Sequence, residues 1–114
     1  MRIIRVLVFL VLALPAWAVD FSTVIKGLDG QPIMVKEGTP LTLGEVAAGA
    51  LLKDDPTLSG KEKVSRYVLA QKVYNAKDIT LTLDEAKLIK EQIGKNWSPI
   101  IVGPAWSLIP DEVK

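Results

Sequence analysis

Apolar residues are spread along this chain in two ways. From Val6 to Leu14 they run without interruption, whereas after Val19 they recur at helical spacing or alternate in short runs between polar clusters. The second regime carries a helix-start signal three times, at Thr42-Leu43-Gly44-Glu45, Ser59-Gly60-Lys61-Glu62 and Thr82-Leu83-Asp84-Glu85. In each, a hydroxyl residue precedes a glutamate by three positions. That spacing lets the hydroxyl accept from the N3 amide while the carboxylate accepts from the N-cap amide, so two donors that a helix start leaves unpaired are satisfied.

These signals predict three helices. The first runs from Leu43 to about Leu52 and sets Leu43, Val46, Ala47, Ala50 and Leu51 on one face. It ends at Lys53-Asp54-Asp55-Pro56, because Pro56 disfavours helix at the residue before it. The second covers Lys61 to Ala76. The third covers Leu83 to Ile93, with Gly94 as its C-terminal cap. Leu-Thr-Leu-x-Glu occurs at both Leu41–Glu45 and Leu81–Glu85, but the helices that follow differ in length and pattern, so this is shared capping rather than duplication.

Around these helices the pattern is less regular. Ser22 to Leu28 and Gln31 to Lys36 flank Asp29-Gly30, a hairpin signal weakened by Pro32, so a short N-terminal ribbon or arm is expected over residues 19–40. At the other end, Ser98-Pro99 reads as an N-cap followed by proline at the first helical position. Gly103-Pro104 should then kink or break the helix. A fourth, kinked or two-part helix closing the core with Ile101, Val102, Trp106 and Ile109 is favoured over a buried strand at Ile100–Val102. The expected fold is mainly α, a small bundle of three to four short helices with an N-terminal β-ribbon or arm. The helical domain spans residues 41–114.

The continuous apolar run has another meaning. Arg2 and Arg5 precede it, and Pro15 and Ala16-Trp17-Ala18 follow, which is the layout of a secretory signal peptide over residues 1–18. The exported chain then begins at Val19 and is periplasmic or extracellular. The alternative is an inner-membrane anchor over residues 3–19. A membrane-spanning helix needs about 20 apolar residues, and Val6 to Val19 supplies 14, interrupted by Pro15. In either case basic residues ahead of the run direct the rest of the chain outward.

Removing Arg2 and Arg5 leaves 12 basic residues against 13 acidic ones, a formal charge of −1 for residues 19–114. That balance argues against a nucleic-acid binder, which needs a basic stripe to displace counterions. The chain has no cysteine, so this exported domain must hold by packing rather than by disulfides. Its 96 residues after the leader suffice for one core.

Chemistry narrows further. With no His and no Cys there is no Cys/His zinc site, Ser-His-Asp triad or thiol nucleophile. Ser59-Gly60-Lys61 lacks the upstream glycine and strand of a phosphate loop. Carboxylates remain, as Asp54-Asp55, Asp84-Glu85 and Asp111-Glu112, each where a loop, a helix start or a tail explains it. A carboxylate-dependent hydrolase of cell-wall sugar or peptide is the enzymatic alternative, with Asp54 and Asp55 as its acids. No cofactor or metal is expected. Trp97 and Trp106 are read as packing residues.

The second helix bears most directly on function. Leu69, Ala70 and Val73 form one apolar face, while Val64, Tyr67, Val68 and Tyr74 form another. Two stripes mean either a helix buried on both sides, the commoner arrangement, or one stripe that binds a partner. Tyrosine suits the latter, since it buries area while its hydroxyl stays wet. Val64, Tyr67, Val68 and Tyr74 are therefore the candidate partner face, with a protein as the expected partner. Membrane contact is expected only if the N-terminus is uncleaved.

Finally, Leu41–Val46, Glu62–Ala70, Leu81–Glu85 with Leu88-Ile89-Lys90, and Val102–Trp106 resemble stretches of small proteins encoded by bacteriophages and prophages, over about residues 41–109. The resemblance implies no catalytic residue or cofactor. With the leader, it adds a membrane-tethered phage envelope factor to the alternatives.

Overall fold

The computed structural model describes residues 17–109. The basic start and apolar run expected to form a signal peptide, and Asp111-Glu112, lie outside the described residues. Four short strands and four helices follow in the order β1 (Trp17–Val19), β2 (Met34–Lys36), β3 (Thr39–Pro40), α1 (Leu43–Leu51), α2 (Gly60–Val73), β4 (Ile79–Leu81), α3 (Leu83–Asn96) and α4 (Pro99–Leu108). The fold is mainly helical, as expected, but two small antiparallel sheets make it more than a bundle.

All three predicted capping boxes are formed. Glu45 N donates to Thr42 Oγ1 at 3.2 Å and Thr42 N to Glu45 Oε1 at 2.9 Å. The pairs Ser59/Glu62 and Thr82/Glu85 repeat the arrangement at 2.8–3.1 Å. Each box is worth about 1 kcal/mol of helix stability.

The central helix is α1, which packs against α2, α3 and α4. Leu43, Val46, Ala47, Ala48, Ala50 and Leu51 are all buried. Ala86, Ile89 and Ile93 of α3 cover it from one side, with Ile101 and Ala105 of α4 and then Ile109 completing the layer. Trp97, just past α3, lies against Gly49, and its Nε1–H donates to the Val46 carbonyl at 3.0 Å.

The N-terminal arm belongs to this core. Val19, Phe21 and Ile25 are buried in it, and β1 pairs with β4 in the register Trp17↔Leu81, Ala18↔Thr80 and Val19↔Ile79. The Asp29-Gly30 turn forms, with Gly27 N donating to Gln31 O and Gly30 at φ +80°, but its flanks make a single bridge at Lys26↔Pro32. Proline there has no amide to extend the ladder. A second hairpin, β2 to β3, turns at Gly38, whose φ of +77° favours glycine.

Other expectations are corrected. The second helix ends at Val73 rather than Ala76: Tyr74 is its C-cap and Asn75 adopts φ 51°. Asn75 is held there by the Thr42 hydroxyl, which donates to its Oδ1 at 2.8 Å. The third helix runs on to Asn96, so Gly94 is no cap. A Cβ at Gly94 would sit 3.0 Å from Trp106 Cζ2, and its hydrogen side chain is what lets the indole lie close.

Trp106 itself is 42% exposed and does not close the core. Its Nε1–H donates to the Lys90 carbonyl at 3.0 Å, with the Lys90 ammonium 5.2 Å from the ring centroid. Ile100–Val102 is helical, within one helix that contains Pro104. Pro99 at its first position is pre-set for helical φ, and the amides of Ile101 and Val102 both reach Ser98 O at 2.9 Å.

Candidate functional site

The candidate stripe faces outward. Val64 is 63% exposed, Tyr67 53%, Val68 56% and Tyr74 55%. Leu69, Ala70 and Val73 of the same helix are buried against the core. Burial on both sides is thus overturned: α1 is central, and α2 is an outer helix with one covered face and one bare apolar face.

The four residues do not form a single patch. Tyr67 and Tyr74 border a groove of about 600 Å³ between α2 and α1, together with Ala48 and Gly49 of α1 and Leu52, its C-cap. Val64 and Val68 border a shallower depression of about 280 Å³ on the α3 side, beside Lys72 and Glu85. Tyr74 reaches the groove from the turn after the helix, not from its last turn. The floor of the groove, Ala48, Gly49 and Ala70, was missed. Its signal was present, because the small-residue run Ala47-Ala48-Gly49-Ala50 leaves space wherever two helices cross. Leu52, half exposed beside Tyr67, adds apolar wall.

Several charged groups on and around α2 are engaged. Glu45, at one end of the groove, is committed to its capping box with Thr42. Lys63 pairs with Asp54 at 3.7 Å and Lys72 with Glu85 at 3.0 Å, both near the surface, where an ion pair is worth about 0–1 kcal/mol. Further exposed apolar residues lie on the arm, with Leu28 98% exposed at the tip of the Asp29-Gly30 turn and Met34 and Val35 more than half exposed.

The candidate catalytic acids, Asp54 and Asp55, line one depression with Lys63 and Arg66, and each has a local partner. Asp55 Oδ1 accepts from Thr57 N at 2.9 Å and from the Thr57 hydroxyl at 2.6 Å, closing the turn after α1, while Asp54 faces Lys63. Among the described residues no three His, Cys, Asp or Glu side chains are grouped as metal ligands would be, and no helix is long and apolar enough to cross a membrane.

Among the described residues three carboxyls lie below their ordinary range. The Thr57 hydroxyl and amide lower Asp55, and the Ser22 hydroxyl and amide lower Asp20 in the same way. Burial pushes Glu85 up, but the Thr82 amide and the Lys72 ammonium together outweigh it and hold it low. A group whose folded pKa is depressed stabilises the fold above its unfolded pKa and loses that contribution as pH falls through the folded value. The melting temperature is therefore expected to be level from about pH 5 to 7, with no histidine to titrate there, and to fall below about pH 4. A thermal melt series across pH 2.5–7 checks this; a decline already at pH 6 would contradict it.

No family model matches the chain, and no curated protein or solved structure matches it either.

Proposed function

We propose that the chain is an exported, non-catalytic interaction module of bacterial or phage origin, acting in the periplasm or outside the cell. Its working surface is the bare side of α2, Val64, Tyr67, Val68 and Tyr74, with the α1/α2 groove beside it. The observation that carries this reading is that an outer helix leaves a second apolar stripe in water while its first stripe is fully used by the core. Single exposed apolar residues are ordinary, but Tyr67 and Tyr74 bordering a concave groove lined by the small residues Ala48, Gly49 and Ala70, with Val64 and Val68 exposed beside them, suit an anchor side chain of a protein partner. The absence of His and Cys supports a role in binding rather than turnover, and so does the commitment of Asp55 to its turn and of Glu45 and Glu85 to their helix caps.

Two measurements test this. The full chain is expressed in a bacterial host, the cells are fractionated and the intact mass of the product is read. A species beginning at Val19 outside the cytoplasm is expected; a full-length chain in the cytosol contradicts export. Tyr67→Ala together with Tyr74→Ala is expected to remove partner contact while shifting the melting temperature by no more than a few degrees, because both side chains are more than half exposed. Unfolding by the pair would place these tyrosines among the structural residues and end their assignment as a binding face.

A further inference from the structure

We infer that the leader can be removed only before the domain folds, because the bond to be cut is part of the fold. This rests on the export reading above. Cleavage after Ala18 adds water across the Ala18–Val19 peptide bond, leaving a carboxylate on Ala18 and an ammonium on Val19. A peptidase that reads small residues at Ala16 and Ala18 must take this stretch in extended form, with both side chains on the face it grips.

In the folded chain Trp17–Val19 of this stretch form β1. Ala18 pairs with Thr80 and Val19 with Ile79, and the Val19 side chain is only 3% exposed. The strand cannot swing out alone. Two residues on, Phe21 is fully buried, its amide donates to Ala76 O at 2.8 Å, and its carbonyl accepts from Gly44 N at 2.7 Å. Only Pro15 and Ala16 separate the apolar run ending at Leu14 from β1, a reach of about 7 Å when extended. A domain that folds while tethered thus holds its own cleavage site against its body, close to the membrane surface.

Folding and processing therefore compete for residues 17–19. A chain cut first is released and loses the pairing of Trp17 and Ala18 with Leu81 and Thr80. One that folds first keeps its leader and stays tethered. The two localisations open to the sequence become two outcomes of one kinetic race.

The test uses the full chain, purified in detergent with its leader intact, as wild type and as Gly44→Ala. That substitution lies outside the stretch a peptidase reads and is expected to unfold the domain without denaturant. Each is incubated with a detergent-solubilised leader peptidase, and intact mass is followed with time. Circular dichroism establishes the folded state of each, and Phe21→Ala is added to Gly44→Ala if the single variant keeps its fold. The unfolded chain is expected to yield a product beginning at Val19 at least about tenfold faster than wild type, since cutting then waits on no opening step. Equal rates would overturn the inference. If neither chain is cut, the leader reading itself fails, and the inference falls with it.

Discussion

Gly44→Ala is expected to cost about 3 kcal/mol or more, enough to unfold much of the protein near physiological temperature. A Cβ at Gly44 meets the backbone amide nitrogen of Asn75 closer than van der Waals contact allows, and stands 3.0 Å from the carbonyl oxygens of Phe21 and Val73. None of these is a side-chain tip that can turn away. The three segments are also tied together, by Gly44 N to Phe21 O at 2.7 Å, Phe21 N to Ala76 O at 2.8 Å and Thr42 Oγ1 to Asn75 Oδ1 at 2.8 Å. The clash must move the start of α1, the N-terminal arm or the turn after α2. For a domain of this size the melting temperature should drop by roughly 12 °C or more. Gly60→Ala serves as the opposite control. It opens α2 with nothing within 4 Å of its added methyl and no positive φ, so it should stay near neutral or gain up to about 0.5–1 kcal/mol. Equal effects from the two glycines would contradict the packing described here.

Phe21→Ala carries the second large effect, about 3–5 kcal/mol. Phe21 is fully buried although it belongs to the segment that reads as an arm. Were residues 19–40 a loose extension, its removal would cost little. Leu28→Ser, at the exposed tip of the same arm, should by contrast stay within about 0.5 kcal/mol. Urea unfolding midpoints of the two variants separate the cases, since only an arm built into the core gives effects this unequal.

Local chemistry made part of this fold legible. The three capping boxes are complete in four residues each, so their spacing alone located the starts of α1, α2 and α3. What depends on distant partners was hidden. The pairing of β1 with β4 joins residues some sixty positions apart, and no local pattern ties Trp17–Val19 to Ile79–Leu81. The early end of α2 follows from a hydroxyl on Thr42 reaching Asn75, whereas Tyr74 and Ala76 continue the apolar periodicity and disguise the stop. Gly94 has the form of a cap, yet its lack of a Cβ is used to admit Trp106 in mid-helix.

The candidate site divides along the same line. A projection of α2 was sufficient to find the second stripe, Val64, Tyr67, Val68 and Tyr74. Which stripe faces water depends on what packs beside the helix. With α1 as the central element, covered by α3 and α4 on its other sides, α2 is left outside. The groove floor depends on the crossing of α1 and α2, so Ala48 and Gly49 gain meaning only once both helices are in place.

The claim that the bare face of α2 is the working surface is tested most directly by photo-crosslinking in intact cells. A photoreactive phenylalanine analogue replaces Val68 in one strain and exposed Glu91 of α3 in another. Val68 is predicted to yield a cross-linked species of one defined mass in the extracytoplasmic fraction, absent from the Glu91 strain and lost when Tyr67→Ala and Tyr74→Ala are added. Equal labelling from both positions, or none from Val68, would contradict the account.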